Sequence, residues 1–177
     1  MLEGEENLIK EAQTGRADCF GHLYDHYISR IYRFVLLKVS YKHEAEDLTH
    51  EIFLKAWKNI KGYKSQGFPF SSWLYQIARN QVIDYYRLKK NELSLETIDT
   101  DIVKVASSNE ADLDRSLDVS RVKTMMKVLN SDQQDVLLLR FVEGLSHREI
   151  AEALHKSEGA VRLIQHRAIN ELKKLAK

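Results

Sequence analysis

Ser146-His147-Arg148-Glu149-Ile150-Ala151-Glu152-Ala153-Leu154-His155-Lys156-Ser157-Glu158-Gly159-Ala160-Val161-Arg162-Leu163-Ile164-Gln165-His166-Arg167 is the stretch that decides the fold. Ser146 and Glu149 have the spacing of a capping box, in which a hydroxyl and a carboxylate each satisfy a backbone N–H at a helix start. The spacing predicts a short helix from there to Leu154, then a break, then a final helix capped by Ser157 and running to about Leu175. Ala151 is small where the two helices must approach, and Ile150, Leu154, Val161 and Ile164 are apolar where they lock together. Val161, Ile164, Ala168, Leu172 and Leu175 continue one apolar stripe along the last helix. This is the pattern of a helix-turn-helix. His155 stands where many such motifs have a glycine with positive φ, a conformation that His tolerates better than most side chains.

The face of the last helix opposite its stripe suits a DNA major groove. Arg162 has the donors for a guanine edge, His166 reaches a base or phosphate, and Leu163 matches a thymine methyl. Arg167, Lys173 and Lys174 suit phosphates, which fix register rather than sequence, and Arg148 is placed to touch the backbone. An amphipathic hairpin with a solvated charged face is the plainer alternative. The two caps, the small residue and the four locking positions together argue against it.

Upstream, Ser131-Asp132-Gln133-Gln134 reads as another capping box, opening a helix to Phe141 that Gly144 ends, and a helix is expected over Leu117–Leu129. Residues 91–118 carry no sustained apolar stripe and read as an acidic linker. Before them, helices are expected over Glu5–Thr14, Asp18–Val39, from His43 to just before Gly62, and over Trp73–Lys89 with Ser71 or Ser72 as cap. The chain is thus expected to be all-α, with two small helical domains at 1–90 and 119–177 joined by the linker.

The totals fit. One proline and seven glycines in 177 residues argue against a loop-rich or all-β architecture. Residues 1–90 carry 14 Lys and Arg against 11 Asp and Glu, residues 91–120 carry 2 against 8, and residues 121–177 carry 11 against 7. Two mildly basic lobes therefore flank an acidic strap, and neither is basic enough for strong unaided DNA binding at physiological salt. Cys19 is the lone cysteine, which rules out an internal disulfide and suits a reducing compartment. The N-terminal MLEGEENLIKEAQTG is acidic and unlike a signal peptide, and no run approaches the roughly 20 apolar residues of a membrane span. A cytoplasmic protein is expected, with no membrane insertion.

The first lobe has two informative helices. In His43–Ile60, Ala45, Leu48, Ile52, Phe53, Ala56 and Ile60 share one side. Asp47, His50, Glu51, Leu54, Lys58 and Lys61 lie opposite, with Trp57 at the edge. A leucine and a tryptophan within a charged face fit a protein-docking surface, and a solvated face with stray apolar residues fits equally well. In the next helix Leu74, Ile77, Ala78, Gln81, Tyr85 and Leu88 face one way, and Gln76, Arg79, Asn80, Ile83, Tyr86 and Arg87 the other. The preceding loop, Gly62-Tyr63-Lys64-Ser65-Gln66-Gly67-Phe68-Pro69-Phe70, combines aromatics, amides and a lysine. Beside arginines these supply what single-stranded DNA needs: stacking surfaces, edge readers and phosphate contacts.

Three runs resemble one family. Glu44-Ala45-Glu46-Asp47-Leu48-Thr49-His50-Glu51-Ile52-Phe53-Leu54-Lys55-Ala56-Trp57 resembles region 2.2 of extracytoplasmic-function (ECF) sigma factors, of the sigma-70 family. The run from Phe70 through Trp73, Asn80 and Asp84 to Arg87 is similar to their region 2.4. The lobe from Leu129 through Glu143-Gly144-Leu145-Ser146, Gly159-Ala160-Val161-Arg162 and Arg167-Ala168 is similar to their region 4. The resemblance implies a promoter-recognition subunit without catalysis or cofactor. Its partners would be bacterial core RNA polymerase, through the β′ clamp helices and the β flap, promoter DNA, and an anti-sigma factor. It implies docking on the clamp by Asp47, His50, Glu51, Leu54, Trp57 and Lys58, with His50 standing where the family usually has glutamine. It implies reading of a melted −10 strand by Tyr63, Lys64, Phe68, Gln76, Arg79, Asn80, Ile83 and Arg87. Duplex −35 reading would fall to Arg148, Arg162, Leu163, His166, Arg167 and Lys173.

An enzyme is the rival of a different class. The chain lacks a Walker A loop, a dinucleotide glycine pattern and paired-cysteine zinc spacing. His50-Glu51 is followed by Leu54 where a zinc protease needs histidine, and His22 and His26 have no evident third ligand. A stand-alone dimeric regulator of duplex DNA is the other rival; it explains the helix-turn-helix and leaves the first lobe without a purpose.

Overall fold

The computed structural model describes residues 2, 4–39, 41–65, 67–95 and 122–175, with backbone alone at 91–95 and 175. Helices α1 (Glu5–Gln13), α2 (Ala17–Leu36), α3 (Lys42–Asn59, extended by a 3-10 turn over Ile60–Gly62) and α4 (Phe70–Leu95) build the first lobe. The second lobe comprises a helical turn at 122–126, α5 (Ser131–Leu137, continued by a π-helical stretch over Leu138–Val142), α6 (His147–Leu154) and α7 (Glu158–Leu175). No strand occurs among the described residues.

The first-lobe core follows the expected stripes. Phe20, Leu23, Tyr27, Ile31, Phe34 and Val35 of α2 meet Ala45, Leu48, Ile52, Phe53 and Ala56 of α3 and Leu74, Ala78 and Val82 of α4. Two polar ties fix the geometry around it. Gln13 Nε2 donates to the carbonyls of Ile60 (3.0 Å) and Tyr63 (2.7 Å), pinning the end of α3 to α1. Tyr27 donates to the buried Glu5 carboxylate, and burial together with that neighbour pushes its phenol well up.

Several boundaries differ from the sequence reading. Helix α4 starts at Phe70, directly after Pro69, whose carbonyl accepts the Ser72 N–H at 3.0 Å. Ser71 and Ser72 are thus buried inside its first turn and cap nothing. Pro69 provides the start because its fixed φ and missing N–H suit a helix entrance. Leu88, expected inward, is 63% exposed; at this level α4 turns Lys89 toward α3, where it bonds Glu44 at 3.0 Å. The linker expected from residue 91 gives way to helix as far as Leu95, and its remainder lies outside the described residues. The helix expected over Leu117–Leu129 is described only at 122–126, with a turn at 127–128.

In the second lobe the cap of α5 is Asn130, one residue before the expected Ser131. Its side chain accepts the Gln133 N–H at 3.0 Å, and Gln133 returns a bond to the Asn130 N–H at 2.9 Å. The helix then loosens: the Glu143 N–H reaches the Leu138 carbonyl at 3.1 Å, an i→i+5 bond. Gly144 at φ +74° ends it, as expected.

Candidate nucleic-acid interface

The helix-turn-helix forms as its caps dictate. Ser146 Oγ accepts the Glu149 N–H at 3.2 Å, and Glu149 accepts the Ser146 N–H at 2.7 Å. Ser157 Oγ accepts the Ala160 N–H at 3.2 Å. Between the helices His155 adopts φ 52°, ψ 48°, and the Lys156 N–H closes back on the Ala151 carbonyl at 2.9 Å. Ile150, Ala151, Leu154, Val161 and Ala168 are buried and Ile164 half-buried, so the locking positions lock. Arg162, Leu163, His166, Arg167 and Lys173 all lie exposed along α7, with Leu163 at 49%. Arg162 rests 3.6 Å from Glu158, an exposed i,i+4 pair that leaves it available. His147 bridges the pair of helices through Gln165 at 2.7 Å.

On α3 the two faces separate as the wheel predicts. Asp47, His50, Glu51, Leu54 and Lys58 are exposed, Leu54 at 57%. Trp57 is half-buried against Phe20, ring centroids 5.0 Å apart. Ala17, Phe20, Tyr24, His50, Phe53, Leu54 and Trp57 enclose an apolar hollow of about 340 Å³. Glu51 accepts from Gln81 of α4, which in turn accepts from Lys55, so this exposed carboxylate is held in place on the same helix.

The 63–70 loop and α4 bring most of their expected group together, with one correction. Tyr63 is buried, its ring 4.9 Å from Trp73 and 5.3 Å from Phe70; it anchors the loop and offers no open stacking face. Lys64, Asn80 and Arg87 are exposed, while Phe68, Gln76, Arg79 and Ile83 are half-buried. Gly62, Tyr63, Lys64, Phe68, Pro69, Ser72, Trp73 and Gln76 line a hollow of about 410 Å³ that Glu152 and His155 of the second lobe complete.

That completion reveals residues the sequence reading missed. The second lobe packs directly on the first, α6 against α4, through a set of ionic contacts. Arg33 holds the Glu143 carboxylate through Nε (2.8 Å) and Nη2 (3.1 Å), Arg30 joins it at 3.3 Å, and Tyr75 donates to it at 2.8 Å. Arg79 donates to Asp135 and to Asp132, each at 2.8 Å, and Lys38 also pairs with Asp135. The side chains of Asp135 and Glu143 are 0% exposed. Burial and the Glu143 carboxylate push the Tyr75 phenol well up, and Glu143 raises the Arg33 guanidinium. The hydrogen bond from Lys156 first, then that from Arg79, hold the Asp132 carboxyl below its ordinary range against the opposing effect of burial. At the loop, the Arg148 guanidinium lies 5.1 Å from the Phe68 ring centroid, and Gln76 Nε2 is 2.6 Å from His155 Nε2.

Family models describe both lobes: sigma-70 region 2 matches residues 23–92 and sigma-70 region 4 matches residues 125–174. The ECF RNA polymerase sigma factor SigW of Bacillus subtilis (strain 168) is 32% identical over 94% of this chain and 93% of its own length. The chain belongs to the ECF RNA polymerase sigma factors. Another relative of this sigma factor, BldN of Streptomyces coelicolor, is 39% identical over 95% of the chain, which spans 64% of BldN. Its fold is shared by CnrH, solved with the cytosolic domain of CnrY (TM-score 0.77, 22% identity, 98% of this chain and 97% of that one). The sigma factor RpoE of Bartonella quintana, solved with the anti-sigma factor NepR, also shares it (TM-score 0.68, 22% identity, 89% and 96%). Sigma factors are transcription initiation factors, not enzymes. Among the described residues no helix of this sigma factor is long and apolar enough to cross a membrane.

Proposed function

We propose that this sigma factor docks on core RNA polymerase through α3 and directs initiation at promoters that it reads with two separate surfaces. The observation that carries the docking assignment is the exposed Leu54 in the apolar hollow beside Trp57, on a helix face where Asp47, Glu51 and Lys58 are also exposed. An apolar anchor inside a charged rim is the anatomy of a protein interface, and the β′ clamp helices are its proposed occupant. The second lobe would meet the β flap.

The −35 element falls to Arg162, Leu163 and His166, with Arg148, Arg167 and Lys173 on phosphates; their common exposure on or beside α7 supports this. The melted −10 strand falls to Lys64, Phe68, Gln76, Arg79, Asn80, Ile83 and Arg87, with Tyr63 holding the loop beneath them. The working units are the first lobe, through the end of α4 at Leu95, and the second lobe, joined by the intervening segment as tether, in the reducing cytoplasm. RpoE was solved with an anti-sigma factor, and we extend such a partner to this chain.

The test is capture of core polymerase by the tagged protein, followed by transcription in vitro from a promoter library. A stable complex that selects promoters with recurrent −35 and −10 elements is expected. Failure to bind core, with tight binding of duplex operators by the protein alone, would return the stand-alone regulator.

A further inference from the structure

We propose that Gln13 of α1 is a positioning residue for −10 reading: its amide fixes the base of the loop that carries Lys64 and Phe68, and so sets where those side chains meet the strand. The inference rests on the assignment of that loop above. It starts from a local need of the backbone. Helix α3 ends in a 3-10 turn, and Tyr63 follows with φ −64° and ψ 132°, an extended conformation that takes its carbonyl out of the helical ladder. Such a carbonyl needs a donor from elsewhere. Gln13 Nε2 supplies it at 2.7 Å, from 50 positions away in the chain, and reaches the Ile60 carbonyl at 3.0 Å as well.

The amide is a fixed point because α1 is itself held fast. Ile9 and Ala12 are buried, and the Glu5 carboxylate accepts the Tyr27 hydroxyl. Beyond Tyr63 the loop has less support. Ile9 and Lys10 of α1 and Ser65 and Phe68 of the loop line a common hollow of about 390 Å³, so helix and loop are not packed flush there. Two anchors therefore define the near end of the loop: the Phe70 and Trp73 rings hold the Tyr63 side chain, and Gln13 holds its backbone. The Tyr63 carbonyl belongs to the planar peptide that leads into Lys64, so the amide sets the direction in which the chain leaves its anchor. Base discrimination depends on hydrogen-bond geometry, which weakens steeply with angle. A swing of that peptide plane costs selectivity at the strand while the core of the lobe stays intact.

The experiment uses holoenzyme assembled from core polymerase and the full chain. Gln13→Met keeps the length without a donor, Gln13→Glu turns an acceptor toward two carbonyls, and Gln13→Lys keeps a donor of similar reach. Competition between promoters that differ at single −10 or −35 positions gives the discrimination at each element. A good base contact is worth about five- to 150-fold, and Gln13→Met and Gln13→Glu should cut −10 discrimination by roughly five-fold or more. Discrimination at −35 and core binding should stay as in wild type, and Gln13→Lys should restore most of the loss. Charge acting on phosphates alone would move the affinity for every promoter together and leave these ratios untouched. Unchanged −10 discrimination in variants that bind core overturns the proposal. An equal fall at −10 and −35, or Gln13→Lys behaving as Gln13→Met does, overturns it too. Loss of core binding in all three variants does the same, by making Gln13 a residue of the fold alone. Lys64→Ala and Phe68→Ala separate the two readings. If both leave −10 preference unchanged, the strand-reading assignment itself fails; if they lower it and Gln13→Met does not, only the positioning role is lost.

Discussion

Tyr75 of α4 donates its hydroxyl to Glu143 at 2.8 Å, joining residues 68 positions apart at the centre of the contact between the two lobes. Both groups are shut away from water, so the bond has no solvent substitute. Tyr75→Phe keeps the ring beside Phe34 (centroids 5.5 Å apart) and deletes only the donor. A loss of about 1.5–3 kcal/mol is expected, the range for a hydrogen bond to a charged group. Urea denaturation measures it; an unchanged midpoint would show that the arginines alone satisfy Glu143.

Arg162→Ala should relax base preference within the −35 element by about 1–3 kcal/mol at one position, with core binding intact. Competition between promoter variants in holoenzyme reads the first, and co-purification the second. Loss of core binding would contradict the division of labour between α7 and α3.

Leu54→Glu places a charge where the docking hollow needs an apolar anchor, and Asp47→Arg reverses a charge on the same face. The first should weaken core polymerase binding by about 2 kcal/mol or more, the second by less, as interface centres outweigh rims. Promoter preference of the holoenzyme that still forms should stay as in wild type. Unchanged affinity in both variants removes α3 as the docking surface.

Asn130→Ala should cost about 1 kcal/mol and Ser131→Ala far less, since Asn130 caps α5. Thermal unfolding of the two variants side by side measures the difference. The reverse ranking would restore the cap to Ser131.

Asp132 brings a pH dependence to the lobe contact. Its folded-state carboxyl is held below the ordinary value by Lys156 and Arg79, so its contribution is complete above that ordinary value, about 4. It is lost as pH falls from there through the depressed folded value. The gap in urea midpoint between wild type and Asp132→Asn should therefore be present at neutral pH and close in acid. A gap that persists undiminished in strong acid would assign the effect to packing.

Much of this was legible in the sequence, because the signals are local. Ser146, Glu149 and Ser157 write their caps within three residues, and the stripes of α2, α3 and α7 repeat every turn. The α3 wheel even located Leu54 on the open side. What stayed hidden is long-range. Nothing near Glu143 in the sequence says that Arg30 and Arg33, 113 and 110 positions away, will meet it. Asp135 has the look of an ordinary solvent-facing acid until α4 supplies Arg79. Tyr63 shows the converse: its composition suits base stacking, and only the neighbouring Phe70 and Trp73 rings reveal it as a buried anchor. The start of α4 had a readable signal in Pro69, outweighed by the serines after it.

The widened turn over Leu138–Val142 has a further consequence, one of helical phase. Asp135 and Glu143 are eight residues apart, which in an unbroken α-helix leaves them about 80° out of line at 3.6 residues per turn. The i→i+5 bond from the Glu143 N–H to the Leu138 carbonyl absorbs one residue, so the eight advance as about seven and the offset falls to about 20°. Both carboxylates then point at the same lobe. Deleting one uncharged residue from this stretch would leave seven in a regular α-helix and keep the two carboxylates in phase, whereas inserting one would keep every charge in the chain and still turn one carboxylate away. The pairing of the two lobes is thus encoded in a count of residues as well as in their kinds.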